Sequence, residues 1–359
     1  MRRALPFALI AASAAWVYAC SSDPDPADPP APGGDSGTTQ GDTGTKPQDD
    51  SGTKPTEDAG GDGGTNQTGN PIDGVAAAKL ITDAQNFQGF ADGPQWKDGA
   101  LYFSDYFATP GVIWKFTPPN TFTQHRVLTA PYKGLGTTVD EKDGGLVTAE
   151  VDPNGVANSQ LVRWTGDAGT PLALSFDGGA WDSPNDLVVR KSDGTMYVTD
   201  PSFQKGSLTN RVFRITPAGA VIEVDKVMNG EQPNGIALSA DAKTLYVSFT
   251  NNAGGPPFIR KYAVNPDGTL GAGTKFADVP PNDSAPDGLG IDEAGNVYAA
   301  VKDGVEVFKA DGSGKWGKIP IPKPATGVAF GGADRKTLYV TANGGVYEVT
   351  GLKVAGVAQ

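Results

Sequence analysis

The chain has 359 residues, a formal net charge of −12, one cysteine and one histidine. The acidic balance argues against nucleic acid, whose phosphates demand a basic face; a lone Cys20 permits no internal disulfide or cysteine-cluster metal site, and a lone His125 excludes a His-rich zinc site and a His–His acid–base pair. Chemistry must therefore rest on carboxylates, amides, hydroxyls, lysine or a hard metal ion, in a chain whose 49 glycines and 29 prolines mark it as turn-rich, partly unstructured, or both.

Residues 1–19 read as a secretory signal: Arg2 and Arg3 form a positive head, and Ala4 to Tyr18 is an apolar stretch too short for a permanent span. Its end, Val17-Tyr18-Ala19-Cys20, resembles a bacterial lipobox, although Tyr18 is larger than the usual small residue there. The resemblance implies lipidation of Cys20 after cleavage and an exported, membrane-anchored lipoprotein facing the periplasm or the cell surface, in contact with the membrane only through that anchor. Residues 20–70 follow as a tether. From residue 21 they contain no Val, Ile, Leu, Met, Phe, Trp or Tyr, and they carry ten acids against two lysines. Such a segment cannot bury enough apolar area to offset its ordering entropy. As a flexible coil it would span about 40 Å. It holds a net charge of −8, which leaves the body, 71–359, at −6.

The body carries a six-fold repeat. Strand-like runs recur at Leu101-Tyr102-Phe103-Ser104, Leu146-Val147-Thr148-Ala149, Met196-Tyr197-Val198-Thr199, Leu245-Tyr246-Val247-Ser248, Val297-Tyr298-Ala299-Ala300 and Leu338-Tyr339-Val340-Thr341, in steps of 45, 50, 49, 52 and 41 residues. The unit from Asp186 to Glu223 reads as two hairpins with turns at Ser192-Asp193-Gly194 and Pro217-Ala218-Gly219. Four antiparallel strands at this period predict an all-β, six-bladed β-propeller. The sixth unit lacks a fourth strand, and Ala78-Lys79-Leu80-Ile81 is the segment expected to supply it and close the ring.

In a propeller the first strand of each blade lines the central channel. The six start positions are Asp92, Leu135, Asn185, Asn234, Asp287 and Thr326, so four of six carry an acid or an amide. Singly, pairs such as Asn234-Gly235 and Asp287-Gly288 read as turns. Together they place oxygen-bearing side chains around one axis, where two carboxylates repel unless a cation sits between them. Two Asp and two Asn oxygens suit one divalent cation, calcium first, with Mg2+, Mn2+ or Zn2+ as alternatives. Such an ion polarises a carbonyl and activates water. Asp287 is the candidate proton acceptor.

Several strings resemble the senescence-marker-protein/gluconolactonase/luciferin-regenerating-enzyme family: Phe90-Ala91-Asp92-Gly93-Pro94-Gln95-Trp96, Ser183-Pro184-Asn185-Asp186-Leu187, Thr199-Asp200-Pro201-Ser202-Phe203, Pro233-Asn234-Gly235-Ile236-Ala237 and Pro286-Asp287-Gly288-Leu289. The resemblance implies a six-bladed propeller with a divalent ion near its axis and hydrolysis of sugar lactones or related cyclic esters. It places metal ligands at Asp92, Asn234 and Asp287, proton transfer at Asp287, and contact with metal and substrate at Asn185. Three positions depart from the family pattern. Asp92 replaces glutamate, Leu135-Gly136-Thr137 replaces an Asn-Gly-Leu string, and Phe249 stands where an aspartate is common.

Among other residues, Trp181 is read as a wall of the pocket, and Phe249 either contacts the ligand or packs between blades. Glu150 reads as a solvated loop acid, and Asp105 and Asp200 as turn formers that accept nearby N–H groups. No serine has a nucleophile-elbow context. The leading expectation is a metal-dependent hydrolase of lactones acting on a small molecule. The alternative is a non-catalytic, metal-stabilised propeller that binds a ligand or partner at the cell surface.

Overall fold

Runs of β-branched and aromatic residues separated by glycine turns fold into six antiparallel sheets of four strands, a six-bladed β-propeller with no helix among the described residues. The structure is a computed structural model. It describes residues 69–358 apart from 83–87, 141–143, 155–158, 167, 174, 177–178, 204–209, 228–229, 252–254 and 281–284. The signal peptide, Cys20 and nearly all of the tether therefore lie outside the described residues.

The chain enters through a short strand, β1 (Lys79–Leu80). Blade one is β2 (Ala91–Lys97), β3 (Ala100–Asp105), β4 (Val112–Thr117) and β5 (Thr121–Val127). Blade two is β6 (Lys133–Asp140), β7 (Gly145–Val151), β8 (Gln160–Thr165) and β9 (Ala168–Ala173). A small hairpin, β10 (Ser175–Phe176) and β11 (Gly179–Ala180), leads to blade three: β12 (Leu187–Arg190), β13 (Thr195–Asp200), β14 (Asn210–Ile215) and β15 (Val221–Val227). Blade four is β16 (Glu231–Leu238), β17 (Thr244–Asn251), β18 (Phe258–Ala263) and β19 (Thr274–Asp278). Blade five is β20 (Leu289–Ile291), β21 (Val297–Val301), β22 (Gly304–Phe308) and β23 (Lys315–Pro320). Blade six has β24 (Ala325–Gly331), β25 (Thr337–Ala342) and β26 (Gly345–Val349).

The local chemistry is visible in blade three. Leu187 pairs with Val198 and Arg190 with Thr195, so the β12–β13 turn closes at Gly194, whose φ of 82° favours glycine. Asp193 in that turn accepts the Thr195 N–H at 2.9 Å and pairs with Arg190, which holds its carboxyl down at about 2.

The core has no single centre. One face of each blade is covered by the blade before it and the other by the blade after it, so the second strands are buried on both sides. One cluster joins Val188 and Tyr197 of blade three to Ile236, Leu245 and Phe249 of blade four. Another joins Tyr298 and Val307 of blade five to Val328, Leu338 and Tyr347 of blade six.

The sixth blade is completed from the opposite end of the body. β1 pairs antiparallel with β26, Lys79 opposite Glu348 and Leu80 opposite Tyr347. Flanking bonds extend the zip, from Ile81 N to Val346 O at 2.9 Å and from Ala76 N to Thr350 O at 3.0 Å. Val75 and Ala78 pack against the blade five–six cluster. Beyond β26 the chain crosses the end of the inner strands. Val357 N donates to Ile291 O at 2.8 Å and Gly356 N to Arg335 O at 2.9 Å.

Because β1 and its flanking residues pair along the outer edge of β26, deleting residues 71–85 exposes that edge and part of the core. The expected result is a fall in melting temperature of roughly 10 °C or more. An unchanged melting temperature in a folded deletion variant would contradict the role of this closure.

Candidate active site at the propeller axis

Six inner strands converge on the axis, and their entry segments touch one another in a closed circuit. Each junction is hydrogen-bonded. Ser104 Oγ donates to Leu135 O at 2.7 Å and Gly136 N to Asn185 O at 2.7 Å. Thr199 Oγ1 donates to Asn234 O at 2.6 Å and Ser248 Oγ to Asp287 O at 2.9 Å. Gly288 N donates to Thr326 O at 2.8 Å, and Thr326 Oγ1 returns to Ala91 O at 2.6 Å. The hydroxyls of Ser104, Thr199 and Ser248 are the fourth residues of the repeated strand runs, so the repeat itself supplies fasteners at the axis.

The approach is so close that five of the six residues after the start positions are glycines: Gly93, Gly136, Gly235, Gly288 and Gly327. A Cβ on Gly93 would lie 2.2 Å from Leu135 O, and one on Gly235 would lie 2.3 Å from Asp287 O. These pairs are therefore not hairpin turns. Asp92-Gly93 and Asn234-Gly235 lie inside β2 and β16 at register shifts, bulges that re-aim the preceding side chain. In blade three the glycine slot is taken by Asp186. Its carboxylate accepts Leu187 N at 2.9 Å and, across the junction, Ile236 N at 3.1 Å.

Three carboxylates consequently meet in one axial cavity of ≈ 80 Å³, enough for several waters. Asp92, Asp186 and Asp287 line one end; Phe330, Val357 and Ala358 line the other. Burial pushes the Asp92 carboxyl up to about 7, opposed by the Gly93 N–H and reinforced by the charge of Asp186. Asp287 is held well above the usual carboxylate range by burial first, then by the negative charges of Asp92 and Asp186. Burial raises Asp186 to about 6 against the N–H bonds from Ile236 and Leu187. Asp186 was quoted in a sequence string but given no role. Its signal was available: it is the one non-glycine in the glycine slot.

The four predicted oxygen donors, Asp92, Asn185, Asn234 and Asp287, occupy equivalent axial positions in blades one, three, four and five. Asn185 and Asn234 are buried, and Asn234 Oδ1 has no hydrogen-bond partner among the described residues. Unlike Asp92 and Asp287, neither asparagine is among the residues that line the cavity; a buried amide oxygen left bare is nonetheless what a hard-cation ligand looks like without its ion. No three His, Cys, Asp or Glu side chains among the described residues gather closely enough to ligate one ion. A cation here would need the amides and water beside Asp92 and Asp287, and with those the donor set fits. Thr326 spends its hydroxyl on Ala91 O and Thr341, and Leu135 offers no oxygen.

Other sequence expectations need correction. Trp181 and Phe249 are fully buried and line no part of the cavity. Trp181 packs edge-on to Phe213 at 4.9 Å and donates Nε1–H to Ala173 O; Phe249 stacks on Phe258 at 5.0 Å with Arg260 over its ring. Glu150 is not solvated: it is 2% exposed and accepts from Thr148 Oγ1 and Gln160 Nε2. Asp105 accepts the N–H groups of Phe107 and Ala108 in the turn after it, as a turn former does, and both Asp105 and Asp200 also reach back along the chain. Asp105 accepts Gln88 N at 2.8 Å; Asp200 accepts Ser183 N at 2.7 Å and Asp182 N at 3.0 Å. Each pins the segment leading into its own blade's axial residue, Asp92 or Asn185.

The contact circuit makes a specific demand on glycine. Gly235→Ala should cost about 1–3 kcal/mol or more in urea unfolding, because both near neighbours are backbone. Gly271→Ala is the control, since its Cβ would meet Ala263 Cβ at an ordinary 3.5 Å. Equal stability of the two variants would refute the circuit.

Comparison with known proteins agrees with this geometry. The chain is 29% identical over 221 residues to a gluconolactonase of Zymomonas mobilis, covering 52% of this chain and 59% of that protein. It is 32% identical over 171 residues to the pentonolactonase XacC of Haloferax volcanii, covering 46% and 55%. The chain thus spans a little over half the length of these two curated relatives. A solved structure of XC5397 from Xanthomonas campestris, described as a gluconolactonase, superposes with a TM-score of 0.64 at 28% identity, covering 77% of this chain and 90% of that one. Residues 90–344 match the family described as the SMP-30/Gluconolactonase/LRE-like region, and the chain belongs to that family.

Proposed function

We propose that this protein hydrolyses lactones or related cyclic esters with the help of one divalent cation, and that it does so outside the cytoplasm, tethered through a lipid on Cys20. The observation that carries the reading is the pair of carboxylates, Asp92 and Asp287, in one axial cavity, together with Asn234 at the equivalent position of blade four, whose buried amide oxygen has no partner among the described residues. The gluconolactonase and pentonolactonase relatives support the same substrate class.

Asp92, Asn185, Asn234 and Asp287 would hold the ion, and their oxygen-only chemistry favours calcium. When bound, it supplies positive charge that polarises an ester carbonyl and eases loss of a proton from water. The chain's own part is proton handling and positioning. Asp287 accepts the proton of the attacking water and returns it to the ring oxygen as the C–O bond breaks, so lactone and water give the hydroxy acid. Asp186 keeps a third negative charge close by, which raises the proton affinity of Asp287. Asp105 and Asp200 fix the lead-ins to Asp92 and Asn185, which sets where the lactone ring can sit.

Chelation should abolish lactone hydrolysis, and calcium should restore it. Asp287→Ala should lower kcat by a factor of about 10²–10⁴. Activity that survives both treatments would overturn the mechanism. Leu135, the one apolar residue among the six start positions, favours the non-catalytic reading; that reading predicts a calcium-dependent rise in melting temperature with no turnover of any lactone.

The carboxylates also set a pH dependence. In the unfolded chain each aspartate titrates near 3.8, while in the chelated native state Asp186 titrates near 6, Asp92 near 7 and Asp287 well above the usual range. The native state therefore binds more protons across this window, so these groups stabilise it most at acid pH and lose that contribution as pH rises. Chelated protein should melt progressively lower from pH 5 to pH 8, Asp287→Asn should flatten the slope, and calcium should remove it. A melting temperature that rises over the same window without calcium contradicts this electrostatic picture.

A further inference from the structure

The junction between blades one and two carries aromatic side chains at the site end of the propeller. Phe90 lies two residues before Asp92, just ahead of β2, where it bridges Asn343 of blade six. Its ring packs against Tyr106 at 5.8 Å and Phe107 at 5.4 Å, and those two rings are 5.8 Å apart. Tyr106 N donates to Phe90 O at 3.0 Å, which ties the loop after β3 to the strand that carries Asp92. Yet Phe107 remains 45% exposed.

This exposure is not slack in the loop. Lys133 Nζ donates to the carbonyl of Ala108 and to Thr109 Oγ1, and Leu128 N donates to Gly111 O at 2.8 Å. Gly111 abuts the Tyr132 carbonyl, so the loop leans on the lead-in to β6 and its apolar start residue, Leu135. Residues 106–111 carry no charge. A preorganised aromatic cluster beside a polar pocket is built to take an apolar group at one side of a polar one.

We infer that the substrate is a lactone whose ring bears an alkyl chain, with the ring at the axial carboxylates and the chain seated on Phe90, Tyr106 and Phe107. The inference rests on the lactonase reading and names the substituent. A polyhydroxylated sugar lactone would set most of its hydroxyls against the Phe90 and Phe107 rings, which offer no hydrogen-bonding atom; an alkyl chain loses only water.

The test compares kcat/KM for δ-decalactone, δ-valerolactone and glucono-δ-lactone in wild type and Phe107→Ala, with melting temperature checked for both. The expected result is a wild-type preference for δ-decalactone over glucono-δ-lactone of at least about tenfold. Phe107→Ala should lower the ratio of δ-decalactone to δ-valerolactone about tenfold, through KM. A preference for the sugar lactone, or an unchanged ratio, overturns the inference while leaving the lactonase reading intact. Calorimetric titration with the non-hydrolysable lactam of δ-decalactone separates the two if no lactone turns over. Binding that weakens in Phe107→Ala upholds the alkyl seat with hydrolysis rejected; absent or equal binding overturns the seat as well.

Discussion

Everything at the site follows from how closely six backbones approach one another at the axis. A blade touches only its two neighbours, so the ring holds its shape through junctions, and at the axis each junction has a hydrogen bond of 2.6–2.9 Å. Glycines at five of six slots make that distance attainable, and the residue before each glycine is left with its side chain beside the cavity or against the next blade. The positions that bear the chemistry are thus set by packing. The choice of Asp, Asn, Leu or Thr at each is free of that constraint and can serve function.

The cost of that choice is electrostatic. Asp92, Asp186 and Asp287 crowd a small cavity; burial pushes all three toward the protonated form, and the negative charge of neighbouring aspartates adds to it at Asp92 and Asp287. Asp186 recovers part of the cost through two N–H bonds, one of them across the blade three–four junction, where it also replaces a missing glycine contact. Asp92 has only the Gly93 N–H at 2.8 Å, and Asn234 Oδ1 has nothing. Among these axial groups the bare oxygen, Asn234 Oδ1, belongs to a proposed ligand of the cation, and the best satisfied, Asp186, does not. Polar groups that fold without partners point to what they bind.

The propeller was legible because its signal is repeated. Runs such as Met196-Tyr197-Val198-Thr199 recur near 41–52 residues, and the missing fourth strand could be found by counting. The axial residues were legible for the same reason. What failed was any judgement about orientation. Phe249 lies in a second strand at the position equivalent to Asp105, Glu150 and Asp200, and sequence gives the position but not which neighbour the side chain meets. Arg260 and Phe258, its actual partners, come from the next strand. Glu150 looked solvated because its partner Gln160 is ten residues away across a hairpin. Asp-Gly and Asn-Gly pairs look like turns because glycine's freedom and glycine's lack of a Cβ leave the same letter; at Gly235 and Gly288 it is the second that matters, and at Gly93, whose φ is 53°, both do.

The fifth position of the repeated runs divides the ring. It is acidic in blades one to three, at Asp105, Glu150 and Asp200, and apolar in blades four to six, at Phe249, Val301 and Ala342. Asp105 and Asp200 accept N–H groups from the segments that lead into blades one and three, and Glu150 accepts from Thr148 and Gln160 of its own blade; the lead-ins of blades four and five are held instead by Arg260 on Glu231 and by Thr250 on Pro286 O. Asp92 and Asn185 sit on the first kind of support, Asn234 and Asp287 on the second. A ring with six equivalent backbones therefore presents unequal side chains on unequal supports. That inequality gives the axis a polar side and, at the blade one–two junction, an apolar rim, and so gives a bound molecule one orientation among six.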